Sequence, residues 1–358
     1  MRYIDESALV DIALGATVLG AGGGGDPYIG QLMAREQIRA HGDAPLVELD
    51  DLADDNRICF VAAIGAPGVL VEKLPRVQEA VSAVQALENF LGARFTHIAP
   101  IEAGGLNAVV PFSALSLGLP IVDADGMGRA FPALELVTPT LYGGSATPLS
   151  MTDEHGNAVV LTASSNQWAE TLMRATTVAS GCCNMTALYP MTGKQAKEWL
   201  IPGVITLAQD LGRLVRSSRA EHQSAADAVV THRGGRILIE GKVTAVQRAN
   251  SGGFTLGTVT LQGLDEWRGQ EMTIHFQNEN IVALRNGELV ATVPDLIVMM
   301  TSDSGQPITA EEVKFGYRLC VLGLPCDDRW RSERGLALTG PRAFGYDADF
   351  RPVEEAKR

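Results

Sequence analysis

Between Arg57 and Val122, apolar runs of strand length alternate with segments of helical period, an order that few architectures accept. Arg57 to Ala63 reads as a buried strand. Pro75 to Leu91 reads as an amphipathic helix with Val77, Ala80, Val81, Val84 and Leu87 on one face. Thr96 to Ile101 is a second strand, and a short helix around Asn107 to Leu117 leads to a third, Leu119 to Val122. Strands joined through crossing helices pair in parallel, so an α/β amino-terminal domain with a mostly parallel sheet is expected. Upstream, Leu9, Ile12, Ala13 and Ala16 mark a helix over residues 5–18. It runs into Gly20-Ala21-Gly22-Gly23-Gly24-Gly25-Asp26-Pro27, where Asp26 suits an N-cap and Pro27 the first position of a second helix. The glycine run is then a helix-to-helix loop.

Past Ser165 the pattern changes twice. Gln167 to Ser180 and Gly193 to Arg219 have helical period, the latter interrupted near Pro202-Gly203. From Arg236 onward strands are expected at Ile237–Val246, Phe254–Leu261, Glu271–Phe276, Ile281–Leu284 and Leu289–Val293, with turns at Ser251-Gly252-Gly253 and Asn286-Gly287. Asn-Gly between apolar runs signals a hairpin because both turn positions need positive φ. The expected division is an α/β domain over residues 1–165 and a carboxyl-terminal domain over 166–358, made of a helix pair (167–220) and a β-rich unit (235–350). A length of 358 residues suits two cores of roughly 150 residues each.

With 42 acidic and 29 basic residues the net charge is −13, and no basic run interrupts it. Such a surface repels phosphate backbones and anionic lipid, so neither nucleic acid nor membrane is an expected partner. No apolar stretch approaches the ~20 residues of a bilayer span. The start, Met1-Arg2-Tyr3-Ile4-Asp5-Glu6, is acidic where a secretory leader would be basic. A cytoplasmic location and a small-molecule substrate are expected, and a homo-oligomer is compatible with the sequence. The five cysteines lack Cys-x-x-Cys modules and read as reduced thiols. Cys320 and Cys326 have no accompanying ligands for a zinc knuckle.

Chemistry concentrates in Pro100-Ile101-Glu102-Ala103-Gly104-Gly105-Leu106-Asn107 and Asp123-Ala124-Asp125-Gly126-Met127-Gly128-Arg129. Both follow expected parallel strands, and ligands bind at the carboxyl ends of strands in open α/β sheets. Glu102, Asp123 and Asp125 are therefore expected to face one crevice, where crowded carboxylates share a proton or bind a cation. The alternative is that Asp123 and Asp125 cap the next helix while the glycines turn the chain. The Gly22-to-Asp26 loop lacks Gly-Lys-Ser/Thr and a preceding strand, so no nucleotide is expected. Its backbone N–H groups at Gly23, Gly24 and Gly25, beside Asp26, suit a cyclic amide instead. Cys182 and Cys183 end a helical segment. They are either small buried residues or, since neighbours point different ways, one candidate nucleophile. His155 sits in a turn as base, ligand or solvated residue. Gln277-Asn278-Glu279-Asn280 either lines the site from the second domain or forms an exposed bulge.

These blocks, together with Gly203 to Gly212, Pro294-Asp295-Leu296-Ile297 and Gly340-Pro341-Arg342-Ala343-Phe344-Gly345-Tyr346-Asp347, resemble the domain of unknown function 917 family. That family is associated with S-methyl thiohydantoin desulfurase and with hydantoinase and oxoprolinase proteins. The resemblance spans nearly the whole chain. It implies a hydrolase of a small five-membered (thio)hydantoin from breakdown of sulfur-modified histidines such as ergothioneine, in which water replaces methanethiol at ring carbon C2 to leave hydantoin propionate. It implies, alternatively, an accessory subunit of a hydantoinase or oxoprolinase complex. Under the catalytic reading, Glu102, Asp123 or Asp125 protonates the ring while Cys182, Cys183 or an activated water attacks. Backbone N–H groups of Gly22 to Gly25 (among them Gly23, Gly24 and Gly25) or of Gly104 to Gly105 hold the ring carbonyl, Asn107 stands beside them, and Arg129 or Arg342 takes the propionate carboxylate. Water activated by a divalent metal such as zinc is the rival scheme. The segment Gly128-Arg129-Ala130-Phe131-Pro132 departs from the family pattern at its next residue, where Ala133 stands in place of glutamate.

Overall fold

A computed structural model describes residues 1–65, 69, 76–251 and 254–356. The turn at Gly252-Gly253 and the helix start at Pro75 expected above lie outside the described residues. The chain builds two eight-stranded sheets. Strands of the first are β1 (Arg2–Ile4), β2 (Ala44–Val47), β3 (Arg57–Gly65), β4 (His97–Pro100), β5 (Ile121–Val122), β7 (Leu149–Thr152), β8 (Ala158–Leu161) and β9 (Cys183–Thr192). They lie in the order β1-β2-β5-β4-β3-β9-β7-β8. β2, β5, β4 and β3 run parallel to their neighbours, and the remaining pairings are antiparallel. A separate two-residue strand, β6 (Ala124–Asp125), pairs with β10 (Ile201–Pro202).

Helices α1 (Glu6–Leu19), α2 (Tyr28–His41), α3 (Val77–Leu91), α4 (Asn166–Ala179) and α5 (Val204–Ala220) cover this sheet or flank it. The Asp5 carboxylate caps α1 by accepting from Ala8 N at 2.7 Å. At α2 the N-cap is Pro27 rather than Asp26, whose carboxylate accepts from Tyr28 N at 2.9 Å. α1 and α5 touch backbone to backbone: a Cβ on Gly15 would lie 1.8 Å from Ala208 O, and one on Gly212 1.8 Å from Asp11 O.

The second sheet is wholly antiparallel, in the order β15-β14-β13-β12-β11-β18-β16-β17. Its strands are β11 (Arg236–Ser251), β12 (Phe254–Gly263), β13 (Glu271–Gln277), β14 (Glu279–Arg285), β15 (Glu288–Thr292), β16 (Leu296–Thr301), β17 (Pro307–Ile308) and β18 (Arg318–Leu324). The Asn286-Gly287 turn joins β14 to β15 with φ of 53° and 80°, as the hairpin signal requires. β16 and β18 weld the molecule together. Val298, Met300, Leu322 and Leu324 pack into the core of the first sheet, while Ile297, Met299, Leu319 and Val321 pack into the second core. Side chains alternate across a strand, so a strand apolar at every position must be covered on both faces.

β9 was not foreseen as a strand. Almost every one of its residues is buried, on both faces of the sheet, so it shows no alternation, and Pro190 interrupts it. It arises beyond residue 165 yet lies between β3 and β7 in the first sheet.

Candidate active site in the crevice between the sheets

Loops that follow β4 and β5, the α1–α2 glycine turn, the start of β9, one face of α4 and the β13–β14 turn converge on one crevice. About 830 Å³ of empty space lies among its walls, part of it open to solvent. Ile101, Leu106, Met127, Phe131, Met173 and Leu188 supply an apolar wall, against which Glu102, Asn107, Glu170, Arg174, Asn278 and Glu279 are set.

Glu102 follows β4 directly. Its Oε1 accepts from Asn107 Nδ2 at 2.7 Å and its Oε2 from Phe131 N at 3.3 Å, while Asn107 Oδ1 accepts from Ala63 N at 2.7 Å. Burial, and then the nearby Glu279 carboxylate, hold the Glu102 carboxyl well above the usual range despite these bonds. Glu279 begins β14 on the opposite side. Its Oε1 accepts from Gly24 N at 3.0 Å, and its buried Oε2 has no hydrogen-bond partner. Burial pushes it up to about 7, with the charge of Arg129 acting in the other direction. In a hairpin turn with Asn278 at φ 56°, Asn278 and Glu279 line the site, while Asn280 is buried and donates to Ile297 O, so the Gln277–Asn280 segment is not an exposed bulge.

Gly24 lines the crevice because nothing larger fits. At φ 72° its Cβ would lie 2.9 Å from Gly104 O, while Gly105 (φ 61°) approaches Gly24 from the other loop and Leu106 N donates to Gly24 O at 2.8 Å. Gly23 packs against Glu279 instead, and neither Gly25 nor Asp26 lines the crevice.

Several other expected positions lie elsewhere. Asp123 is fully buried and accepts from Ile205 N (2.8 Å), Thr206 N (3.2 Å) and Thr206 Oγ1. It caps the first turn of α5 and does not reach the crevice. Asp125 accepts from Ala103 N (2.6 Å), Met127 N (3.1 Å) and Gly128 N (2.8 Å), tying the two loops together; burial pushes it up to about 7. The capping alternative therefore describes Asp123, and Asp125 organises the loops. Arg129 is buried, donating to Ala130 O, Pro294 O and Asp295 O at 2.7–2.9 Å. Arg342 is on the surface, paired with Asp347 and Asp349. Neither lines the crevice.

Of the adjacent thiols, Cys183 opens β9 and lines the crevice, whereas Cys182, at φ 69°, faces away with Sγ 3.9 Å from Val178 O. All five cysteines are free. His155 lies on the β7–β8 hairpin beside Glu154. Among the described residues no group of three His, Cys, Asp or Glu could hold a metal ion. The Asp123 and Asp125 oxygens are turned onto backbone N–H groups, so the donor set does not fit the zinc scheme.

Two residues escaped sequence reasoning. Glu170 and Arg174, one turn apart on α4, form an ion pair at the crevice mouth; Glu170 Oε2 accepts from Leu134 N at 3.1 Å, and the guanidinium lies 4.4 Å from the Phe254 ring centroid. Their four-residue spacing looked like any solvated helix pair. Trp168, Leu172 and Val178, apolar and exposed on the same helix, broke the usual pattern.

An α/β lobe joined through shared strands to an antiparallel lobe, with a partly open apolar crevice that holds two buried acids, makes a two-lobed protein with a candidate site in that crevice. The chain belongs to the S-Me-THD-like family: the description "S-Me-THD-like, N-terminal domain" matches residues 7–163 and "S-Me-THD-like, C-terminal domain" residues 164–353. The crystal structure of a protein from Chromobacterium violaceum superposes with a TM-score of 0.83 at 24% identity, over 99% of this chain and 100% of that one. At that identity the likeness concerns the fold. A comparison with curated proteins found no match. Among the described residues no helix is long and apolar enough to cross a membrane.

Proposed function

We propose that the crevice hydrolyses a small five-membered thiohydantoin, with S-methyl thiohydantoin propionate as the best candidate and methanethiol as the leaving group. The observation that carries this reading is the buried pair Glu102 and Glu279 in one crevice, the first bonded through both oxygens and the second with a buried oxygen left unpartnered. The family description agrees with a thiohydantoin-related role.

A hydantoin edge alternates N–H donors with carbonyl acceptors. A protonated carboxyl and a carboxylate facing one crevice offer such an edge a donor and an acceptor. Glu102, kept protonated by burial, donates to a ring nitrogen and makes C2 electrophilic. The Glu279 carboxylate takes a proton from water as its oxygen bonds to C2. The tetrahedral centre then loses methanethiolate, which leaves as the thiol with the proton held by Glu279, while the C2 hydroxyl returns its proton to Glu102 and becomes the carbonyl. The Gly24 loop and the apolar wall exclude other water from the ring.

Purified protein incubated with S-methyl thiohydantoin, thiohydantoin and hydantoin propionates, with thiol release followed by trapping, tests the reading. Thiol release from the first alone is expected; none from any substrate overturns it. Glu102→Gln and Glu279→Gln are each expected to lower turnover by ~10²-fold or more with unchanged circular dichroism. Because Cys183 lines the same crevice, a second reading has its thiolate attack C2 and water release the ring afterwards. A ring adduct in intact-mass spectra, lost in Cys183→Ser and kept in Cys182→Ser, distinguishes the covalent route.

A further inference from the structure

Arg129 is the only lysine or arginine among the described residues that is fully buried. A buried guanidinium is costly unless an anion balances it. Its hydrogen bonds run to three carbonyl oxygens, which satisfy donors without neutralising charge, and its Nη2 has no partner. No carboxylate lies within ion-pair distance of it among the described residues. The crevice acid Glu279 has an Oε2 that is likewise buried and unpartnered. The loop that carries Arg129 connects to both acids: Phe131, whose N–H binds Glu102, packs its ring 4.6 Å from the guanidinium carbon, and Ala130 lies against Gly104, which abuts Gly24, whose N–H binds Glu279.

We infer that Arg129 is the positioning residue of the acid pair, fixing the pair's single negative charge on Glu279 and leaving the proton on Glu102. This rests on the reading of the two acids given above and adds the device that makes their roles unequal. Two like carboxyls buried together otherwise share one proton, with neither assigned as acid or base. The charged groups facing Glu279 are Arg129, Glu102 and Glu311; those facing Arg129 are Glu279, Glu102, Asp295 and Cys326. Asp295 is already paired with Arg331 at 2.8 Å, and burial keeps the Cys326 thiol protonated, so the Arg129 charge falls to the acid pair. Arg129 also binds the Pro294 and Asp295 carbonyls, and a purely structural role would be exhausted by those bonds.

The test needs no substrate. In protein labelled with ¹³C-carboxyl glutamate, infrared difference spectra between the wild type and Glu279→Gln isolate the Glu279 carboxylate band, which is followed against pH. In Arg129→Met its midpoint is expected to rise by about one unit or more, a tenfold change in proton affinity. An unchanged midpoint overturns the inference. If Arg129→Met fails to fold, Glu102→Gln decides. With the proton already resident on Glu102, the Glu279 midpoint moves by less than about half a unit. A fall of about one unit or more means that the acids share the proton and that Arg129 does not choose between them. Either spectroscopic result is independent of whether a thiohydantoin is turned over.

Discussion

Asp123 and Glu102 each follow a buried parallel strand, yet the backbone around them gives them opposite tasks. Asp123 meets the unsatisfied N–H groups that open α5, and a carboxylate there satisfies donors while opposing the positive end of the helix. Asp123→Ala is expected to lower the unfolding free energy by roughly 3 kcal/mol, because at least two buried donors lose their acceptor. Urea denaturation measures it, and a loss below about 1 kcal/mol would contradict the capping role. Glu102 was legible as a site residue because it stands at the carboxyl end of a strand. What separates it from Asp123 and Asp125 was not, since it depends on which N–H groups other segments bring near. Glu279 was visible as one of four polar residues between two strands, but its partner Gly24 is about half the chain or more away in sequence. Nor could composition distinguish Arg129, locked behind the site, from a ligand-binding arginine.

Elements were read best where one face alone is buried. α3 and α4 begin within two residues of their expected starts, and the Asn286-Gly287 hairpin forms as expected. β9, β16 and β18 escaped notice because strands covered on both faces carry no period of two. The crossing of α1 over α5 depends on two glycines in sequences that otherwise look like ordinary helices. Gly212→Ala is expected to cost on the order of 2–3 kcal/mol, since the new methyl meets a backbone oxygen that cannot give way. Ser217→Ala, on the exposed face of the same helix, should change stability by less than about 0.5 kcal/mol. Equal effects of the two changes in thermal or urea unfolding would remove the close crossing from the account.

At the scale of the whole molecule the buried acids make stability depend on pH. Glu279 has an ordinary affinity for protons when the chain is unfolded and a raised one, about 7, when folded. The folded state therefore holds a proton that the unfolded state releases between roughly pH 4 and 7, so this group's contribution to stability is full below that window and is lost as pH rises through it. Glu279→Gln removes the dependence. Relative to wild type, the variant should gain roughly 3 kcal/mol between pH 4 and pH 8 in urea titrations. A difference that stays constant with pH would mean that folding leaves the proton affinity of Glu279 unaltered. The welding of the two lobes through β16 and β18 also bears on synthesis. Glu102 leaves the ribosome early, in a lobe whose sheet still lacks β9, while Glu279 emerges nearly half the chain later and β18 later still. A nascent or truncated chain thus carries one acid of the pair without the other, and no prematurely released fragment ending before β14 can expose a working crevice to the cell.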